Sequence, residues 1–345
     1  RQPGSSFKPF VYSTALDNGY TPSTVVLDAP IEIDQGAGVG VWRPENYSSG
    51  KYQGPTTLRN ALQRSLNTVT VRLAQDVGMP MIGEYAKRFG VYDSLPNYLS
   101  YALGAGETTV MRMVTAYSMF ANGGRRVTPT LIDRIQDRYG HTIYRHDQRE
   151  CRGCDAPEGW NNQSEPTLVD RREQVLDAMT TYQITSMMEG VVQRGTATVV
   201  REVGKPVAGK TGTTNDQKDA WFVGFSPDIA IGVYIGYDKP RNLGRTATGG
   251  HLAAPIAKDF LKVALADKPA VPFRVPPGIK LIRVDAKSGM RAGPGSSGGT
   301  ILEAFKPGTA PPDNYSIIGV ADVDGRGITP DADRAIIHFG TGGLY

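Results

Sequence analysis

The chain has little cysteine, no long apolar run and no concentration of charge of one sign, and each shortage removes a class of protein. No apolar stretch approaches the roughly 18 residues of a membrane span, so none is expected between Arg1 and Tyr345. A net charge of +4 without a long basic run gives no footprint for nucleic acid. Only Cys151 and Cys154 are present, as Cys-Arg-Gly-Cys. They read as a loop disulfide in an oxidising compartment, or otherwise as free thiols. His141 and His146 do not add a zinc spacing to them, and a thioredoxin-like motif would need a strand before and a helix after. No internal repeat is evident. No Met opens the sequence and no signal peptide precedes Arg1, so a piece of a longer polypeptide is expected.

What is present is enough for a sizeable core. Hydrophobic residues make up 39% of 345, and the 41 Gly and 24 Pro stay below the share of a disordered polymer. Ser5 and Lys8 open the chain inside Arg1-Gln2-Pro3-Gly4-Ser5-Ser6-Phe7-Lys8-Pro9-Phe10, and helical spacing of Phe7, Phe10, Val11 and Ala15 predicts a helix through Leu16. Asp17-Asn18-Gly19 supplies its stop. Residues three apart share a helix face, so the Ser5 hydroxyl and Lys8 amine can meet. A desolvated lysine can take a serine's proton, and a helix N-terminus offers N–H groups to an oxyanion. Pro9 is expected to free the Ser5 carbonyl from its helical bond. Alone, Ser5 also reads as a plain N-cap and Lys8 as a solvated helix residue.

Residues 20–55 read as loop with strand-like pieces such as Thr24-Val25-Val26-Leu27. Pro55-Thr56-Thr57 opens a helix with Leu58, Ala61, Leu62 and Leu66 on one stripe, ending at Ser65-Leu66-Asn67-Thr68. Further helices are predicted over 81–89 and 110–121, and a hairpin over 128–144 turning at Tyr139-Gly140. Residues 151–173 read as an exposed irregular loop. Ile184, Met187, Met188, Val191 and Val192 mark an amphipathic core helix stopped by Gly195. Three strands follow, over 207–213, 220–225 and 229–237, the last two paired antiparallel through Ser226-Pro227-Asp228. A last helix over 251–266 is predicted with Leu252, Ile256, Phe260 and Val263 on one face. From Lys268 the text turns Pro- and Gly-rich; Asp322, Asp324, Asp331 and Asp333 lack calcium-loop spacing and read as part of an exposed polar tail.

Two more polar groupings stand beside Ser5 and Lys8. Ser65-Leu66-Asn67 lies at a helix end, and Lys210-Thr211-Gly212-Thr213-Thr214 lies on a strand, where Gly212 lets a ligand's backbone come close. Gly204 to Thr211 also matches the phosphate-loop pattern G-x-x-x-x-G-K-[ST]. That loop needs a helix straight after its Lys-Thr, and Gly-Thr-Thr-Asn-Asp and a strand follow instead. A P-loop NTPase stays as a remote alternative. Ser-x-x-Lys, Ser-x-Asn and Lys-Thr-Gly in that order are the trio of penicillin-binding proteins and serine β-lactamases.

With Gly54-Pro55-Thr56-Thr57-Leu58-Arg59-Asn60-Ala61-Leu62 and Asp219-Ala220-Trp221-Phe222-Val223-Gly224 beside the trio, the chain resembles the transpeptidase domain of class A, bifunctional penicillin-binding proteins. The likeness covers roughly residues 1–268, weakens over 144–173 and is lost in the tail. It implies an α/β (α+β) fold, a central antiparallel sheet flanked by helices plus an all-helical subdomain. In that family five strands form the sheet, and two of them precede the nucleophile's helix. Two segments are expected: a transpeptidase domain over 1–268, lacking its first strands, and a linker with a polar tail over 269–345.

The resemblance further implies a peptidoglycan D,D-transpeptidase acting through a serine acyl-enzyme and blocked by β-lactams. A serine β-lactamase or a penicillin-binding sensor is the nearer alternative. Ser5 is the implied nucleophile and Lys8 its base, with Ser65 relaying a proton to the leaving group and Lys210 supplying positive charge. Asn67, Thr211, Gly212 and Thr213 are implied to hold substrate, and the N–H groups of Ser5 and Thr213 to form the oxyanion hole. No metal or cofactor is expected. The implied partners are stem peptides, β-lactams and proteins of a cell-wall synthesis complex, with no nucleic acid. The implied place is the extracytoplasmic face of the inner membrane, with the anchor and a glycosyltransferase domain upstream of Arg1.

Overall fold

Burial on every side makes the first helix the axis of the fold. The computed structural model describes residues 1–34, 40–154, 162–293, 299–311 and 317–319. A turn of 3-10 helix, Gly4–Phe7, runs into α1 (Lys8–Asp17). Pro9 has no N–H for the Ser5 carbonyl four residues back, and the Lys8 N–H takes that carbonyl instead. The Ser5 carbonyl is therefore not freed, as expected from sequence, but rebonded one residue earlier. From Lys8 to Leu16 every residue of α1 is buried, so it is enclosed rather than amphipathic. Its buried hydroxyls are satisfied locally, Ser13 and Thr14 donating to the Phe10 carbonyl at 3.1 and 2.7 Å. Phe10 packs its ring against Phe89, Tyr117 and Phe120 at centroid distances of 5.3, 5.8 and 5.4 Å.

Strand β1 (Val25–Asp28) precedes a short antiparallel pair, β2 (Ile33–Asp34) and β3 (Val41–Trp42), and then pairs antiparallel with β4 (Gly54–Thr57). Thr57 caps α2 (Leu58–Arg64) by accepting the Asn60 N–H at 3.3 Å. That helix stops at Ser65. Then α3 (Asn67–Val77), α4 (Met79–Arg88) and α5 (Val110–Ala121) gather with α2 around α1 as the helical part of the molecule. The predicted hairpin forms as β5 (Arg134–Gln136) and β6 (Thr142–Arg145), with Gly140 at φ +86° in its turn. In the stretch expected to be irregular, β7 (Glu150–Arg152) and β8 (Thr167–Val169) pair antiparallel, and Cys151 and Cys154 are joined as a disulfide with Cα atoms 5.6 Å apart.

Asp177 caps α6 (Ala178–Arg194), whose Met187 and Met188 are core residues. The three predicted strands follow as β9 (Ala208–Thr213), β10 (Asp219–Phe225) and β11 (Ala230–Gly236), ordered β11-β10-β9 and antiparallel throughout. Helices α5 and α6 and then α7 (Ala254–Ala264), entered through a π-turn at Gly249–Ala253, pack against this sheet.

The stripe predicted for the last helix faces the wrong way. Ile256, Phe260 and Val263 are 51, 53 and 80% exposed, while Ala253, Ala254, Ala257, Leu261 and Leu265 are buried. Small alanines let the helix approach the sheet closely, and the bulky stripe is left outside.

The tail also departs from expectation. Residues 269–279 carry no regular element, as a linker would. After them β12 (Lys280–Asp285) and β13 (Thr300–Phe305) form a hairpin, and β14 (Ile317–Ile318) adds parallel to β1. Asp322, Asp324, Asp331 and Asp333 lie outside the described residues. The hairpin is bolted to α2 and α6 by charge. Glu303, 1% exposed, accepts from Nε and Nη2 of Arg59, and Arg59 also donates to the Ser186 carbonyl and hydroxyl at 2.9 Å each.

Breaking a buried pair of this kind is strongly destabilising, whereas replacing both partners with apolar groups is not. Glu303→Ala should cost about 3–5 kcal/mol in denaturant unfolding of the full-length protein, whereas Arg59→Met with Glu303→Leu should lose far less. A second expectation concerns surface. Among the described residues β11 pairs on one edge only, and the α7 stripe lies bare. Arg1–Tyr345 alone should therefore aggregate, and Phe260→Ser with Val263→Ser should reduce its light scattering.

Candidate active site

Ser5 is threaded between two backbones. The preceding Gly4 sits at φ +52°, and a Cβ there would lie 2.8 Å from the Thr213 carbonyl oxygen. From the strand side, a Cβ on Gly212 would lie 2.2 Å from the Pro3 carbonyl. Glycine at both positions lets the turn carrying Ser5 lie directly against β9. Half-buried Ser5 lines a cleft of about 1430 Å³, and among the described residues its hydroxyl has no hydrogen-bond partner. The direct Ser5–Lys8 contact expected from their spacing is thus not made.

Lys8 instead directs its amine to the end of α2. Its Nζ lies 2.7 Å from the Ser65 carbonyl, 3.3 Å from Ser65 Oγ and 2.7 Å from Asn67 Oδ1. Ser65 can offer both oxygens because it ends α2 in the left-handed region, at φ 58° and ψ 41°. For a non-glycine residue that costs on the order of 1 kcal/mol, offset here by its bonds. Lys210 reaches the same hydroxyl from β9, at 2.8 Å, and donates to the Thr211 carbonyl at 3.1 Å. The Ser65 hydroxyl thus stands between two fully buried amines.

Burial, and then the Lys210 charge, holds Lys8 well below the usual lysine range. Burial alone brings Lys210 down to about 7. An amine that gives up its proton here can accept one from Ser65, which can accept another from the second amine. The three groups form a proton path that opens at Ser65 into the cleft that Ser5 also lines.

Strand geometry disposes the remaining groups. The Thr214 N–H donates to the Asp219 carbonyl at 3.1 Å, so the preceding pair, Thr213 with Ala220, is the non-bonded one. The Thr213 N–H therefore points away from β10, on the side where Gly4 lies against the strand. Alternation puts Lys210 and Gly212 on one face of β9 and Thr211 and Thr213 on the other. Thr211 exchanges a hydroxyl bond with Thr196 at 2.6 Å, and Thr213 Oγ1 accepts the Gly249 N–H at 3.0 Å. Ser5, Ser65, Asn67, Thr211 and Thr213 line the cleft, with Lys8 and Lys210 behind them. All eight residues singled out in the sequence come together here. The strand at Lys210-Thr211 is followed by a 3-10 turn at Asn215–Gln217 and then β10, which removes the phosphate-loop reading.

Sequence reasoning missed the wall formed by residues 42–53. Asn46 of this wall accepts the Asn67 N–H at 2.8 Å, and the Glu45 carbonyl takes the Asn67 side-chain amide at 2.6 Å. No spacing signals such a role, because the segment has neither helical nor strand period.

The lowered Lys210 gives a signed test. Between about pH 7 and pH 10.5 the unfolded chain binds a proton at this position that the folded chain does not, so stability rises with pH across that window. Relative to Lys210→Met, the full-length wild-type protein should gain unfolding free energy from pH 7 to 10; a flat difference would contradict the shift.

Residues 1–262 match the model of the penicillin binding protein transpeptidase domain family. The chain is 47% identical over 307 residues to penicillin-binding protein 1A of Rickettsia bellii, covering 89% of this chain and 38% of that protein. It is 45% identical over 282 residues to penicillin-binding protein 1A of Neisseria meningitidis, covering 81% and 33%. The chain thus spans well under half the length of these relatives. Among solved structures, penicillin-binding protein 1A from Haemophilus influenzae superposes with a TM-score of 0.77 at 29% identity, covering 91% of this chain and 49% of that one. PonA1 from Mycobacterium tuberculosis shares the fold, with a TM-score of 0.65 at 24% identity over 79% of this chain and 70% of its own. With three quarters of its length matched by that family's model and the fold of a relative superposing on it, the chain belongs to the penicillin-binding protein transpeptidase family.

Proposed function

We propose that this chain is a serine D,D-transpeptidase that cross-links peptidoglycan stem peptides and is acylated by β-lactams. The observation that carries the reading is the Ser65 hydroxyl held between Lys8 and Lys210 in the cleft that Ser5 lines, where among the described residues the Ser5 hydroxyl has no partner. Ser5 Oγ attacks the carbonyl of the penultimate D-alanine while Lys8, which burial makes easier to deprotonate than an ordinary lysine, takes its proton. The N–H groups of Ser5 and Thr213 receive the oxyanion. The C–N bond then breaks, and the departing D-alanine takes a proton passed through Ser65. Lys210, Thr211 and Thr213 hold the substrate carboxylate, and Asn67 its amide. The open face of Gly212 is filled by the Pro3 carbonyl, so this glycine seats the turn carrying Ser5 rather than the substrate backbone expected from sequence. An amine from a second stem peptide attacks the ester, forms the cross-link and returns Ser5 with its proton.

Water is the competing acceptor. The only carboxylates among the described residues lining the cleft are Glu45 and Asp216; Glu45 accepts from Ser49 at 2.5 Å and Asp216 pairs with Lys218 at 3.2 Å. Neither bonds to Ser5 or Lys8, which favours slow hydrolysis over β-lactamase turnover. We place the domain on the extracytoplasmic face of the inner membrane, anchored by a segment outside Arg1–Tyr345 that also carries the glycosyltransferase of class A proteins. The Cys151–Cys154 disulfide suits that oxidising side.

Mass spectrometry of the full-length protein after exposure to a penicillin tests the assignment. One adduct is expected, on Ser5, lasting minutes or more. It should be absent in Ser5→Ala and slowed by several orders of magnitude in Lys8→Ala, which should keep its fold. An adduct elsewhere sinks the assignment, and rapid turnover of a chromogenic cephalosporin hands the site to a β-lactamase. Release of a stem-peptide acyl group by an added D-amino acid marks transfer; release by neither water nor amine marks a sensor.

A further inference from the structure

Asn46 has no role in the scheme above, yet it bonds directly to Asn67; it is 8% exposed and fixed at both ends of its amide. Its Nδ2 donates to Asp28 Oδ1 at 2.8 Å and to the Lys51 carbonyl at 3.4 Å. Its Oδ1 accepts the N–H groups of Asn67 and Thr68 at 2.8 and 3.5 Å. Those are the first N–H groups of α3, whose own N-cap residue is Leu66 and has no side chain to satisfy them. Asn46 caps the helix from another part of the chain. Polarity leaves it one orientation, because the Asp28 carboxylate only accepts and the helix N–H groups only donate.

Asp28 is itself fully buried. Besides Asn46, it accepts from the Thr68 hydroxyl and, through Oδ2, from the Gln53 N–H at 2.8 Å. Glu45, next to Asn46, orients the Asn67 side chain through its carbonyl, which leaves Asn67 Oδ1 aimed at Lys8 at 2.7 Å. Asn67 is therefore gripped by its backbone and its amide from the same two-residue stretch of the cleft wall.

We propose that Asn46 and Asp28 are positioning residues for acylation, holding Asn67 where it fixes the Lys8 amine against Ser65. This inference rests on the proposed function. It predicts that the effect depends on donor–acceptor polarity and not merely on filling space, and an exchange of the two side chains tests that.

In Asn46→Asp two carboxylates meet in a buried space. In Asp28→Asn one amide group must face either the Gln53 N–H or the Asn46 amide. In the exchanged variant, D28N with N46D, the amide now at position 28 can donate to the carboxylate at position 46 and to the Thr68 hydroxyl while accepting from Gln53. The carboxylate at position 46 still accepts at the N-terminus of α3, where negative charge is favoured. In the full-length protein, acylation of Ser5 by fluorescent penicillin should fall about 100-fold in N46D and about 10-fold in D28N, per folded molecule. The exchanged variant should return to within about threefold of wild type.

Thermal melting recorded on the same samples separates folding from rate. A folded N46D that acylates like wild type, or an exchanged variant no faster than D28N, overturns the positioning role. If N46D does not fold, the comparison of D28N with the exchanged variant decides alone. An unlabelled wild type would instead bring down the transpeptidase reading, and this inference with it.

Discussion

Two lysines without access to water share one serine hydroxyl, and the rest of the site follows from that constraint. Lys8 and Lys210 are both 0% exposed, and each reaches Ser65 Oγ. Two ammonium groups that close in a low-dielectric space repel each other by far more than a hydrogen bond returns. At least one must be neutral, and a neutral amine beside a serine is a base. The proton path therefore does not need a histidine or a carboxylate. It needs burial, and α1, buried from Lys8 to Leu16, and the wholly buried β10 beside β9 supply it.

Such burial works only if no donor or acceptor is left without a partner. Lys8 has three oxygens, and each comes from a short stretch at which α2 ends and α3 begins. The left-handed turn at Ser65 is what points its carbonyl and hydroxyl the same way, and a helix continuing through Ser65 would have lost both. A break between two helices is here the means of solvating a buried amine. The break is in turn pinned at a distance, by Arg59 and Glu303 on the one side and by the cleft wall on the other.

The residues proposed to carry chemistry were legible through a resemblance, the ordered trio of Ser-x-x-Lys, Ser-x-Asn and Lys-Thr-Gly, because spacing alone also fits a plain N-cap at Ser5 and a solvated Lys8. Ser5 and Lys8 sit one turn apart, Ser65 and Asn67 flank a helix break, and Lys210 to Thr213 alternate on a strand. The three strands and most core helices were legible from period, but α3 (Asn67–Val77) was missed, although Val69, Leu73 and Ala74 on it are core residues. What period cannot tell is which side of an element is covered. The stripe of Leu252, Ile256, Phe260 and Val263 has the right spacing, yet the alanines opposite are what meet the sheet. Nor could spacing show that Lys8 passes over Ser5 for Ser65, a contact 57 residues away.

The same limit explains the misread tail. Glu303 looks like a solvated charge in a polar, Gly- and Pro-rich region, because its partner Arg59 lies 244 residues earlier. Only the pairing makes its burial tolerable. Once paired, it ties β13 to the helix that delivers Ser65, and Gln183 of α6 donates to the neighbouring Ala304 carbonyl at 2.9 Å. Lys306 continues the seam, donating to the Leu16 carbonyl at the end of α1 at 3.1 Å. The hairpin thus contacts α1, α2 and α6, the first two of which bring Lys8 and Ser65 together. Because α2 is only seven residues long, it has little stability of its own and takes its position from what it packs against. The hairpin behind it is therefore part of what sets the geometry of Lys8 and Ser65, although none of its described residues lines the cleft.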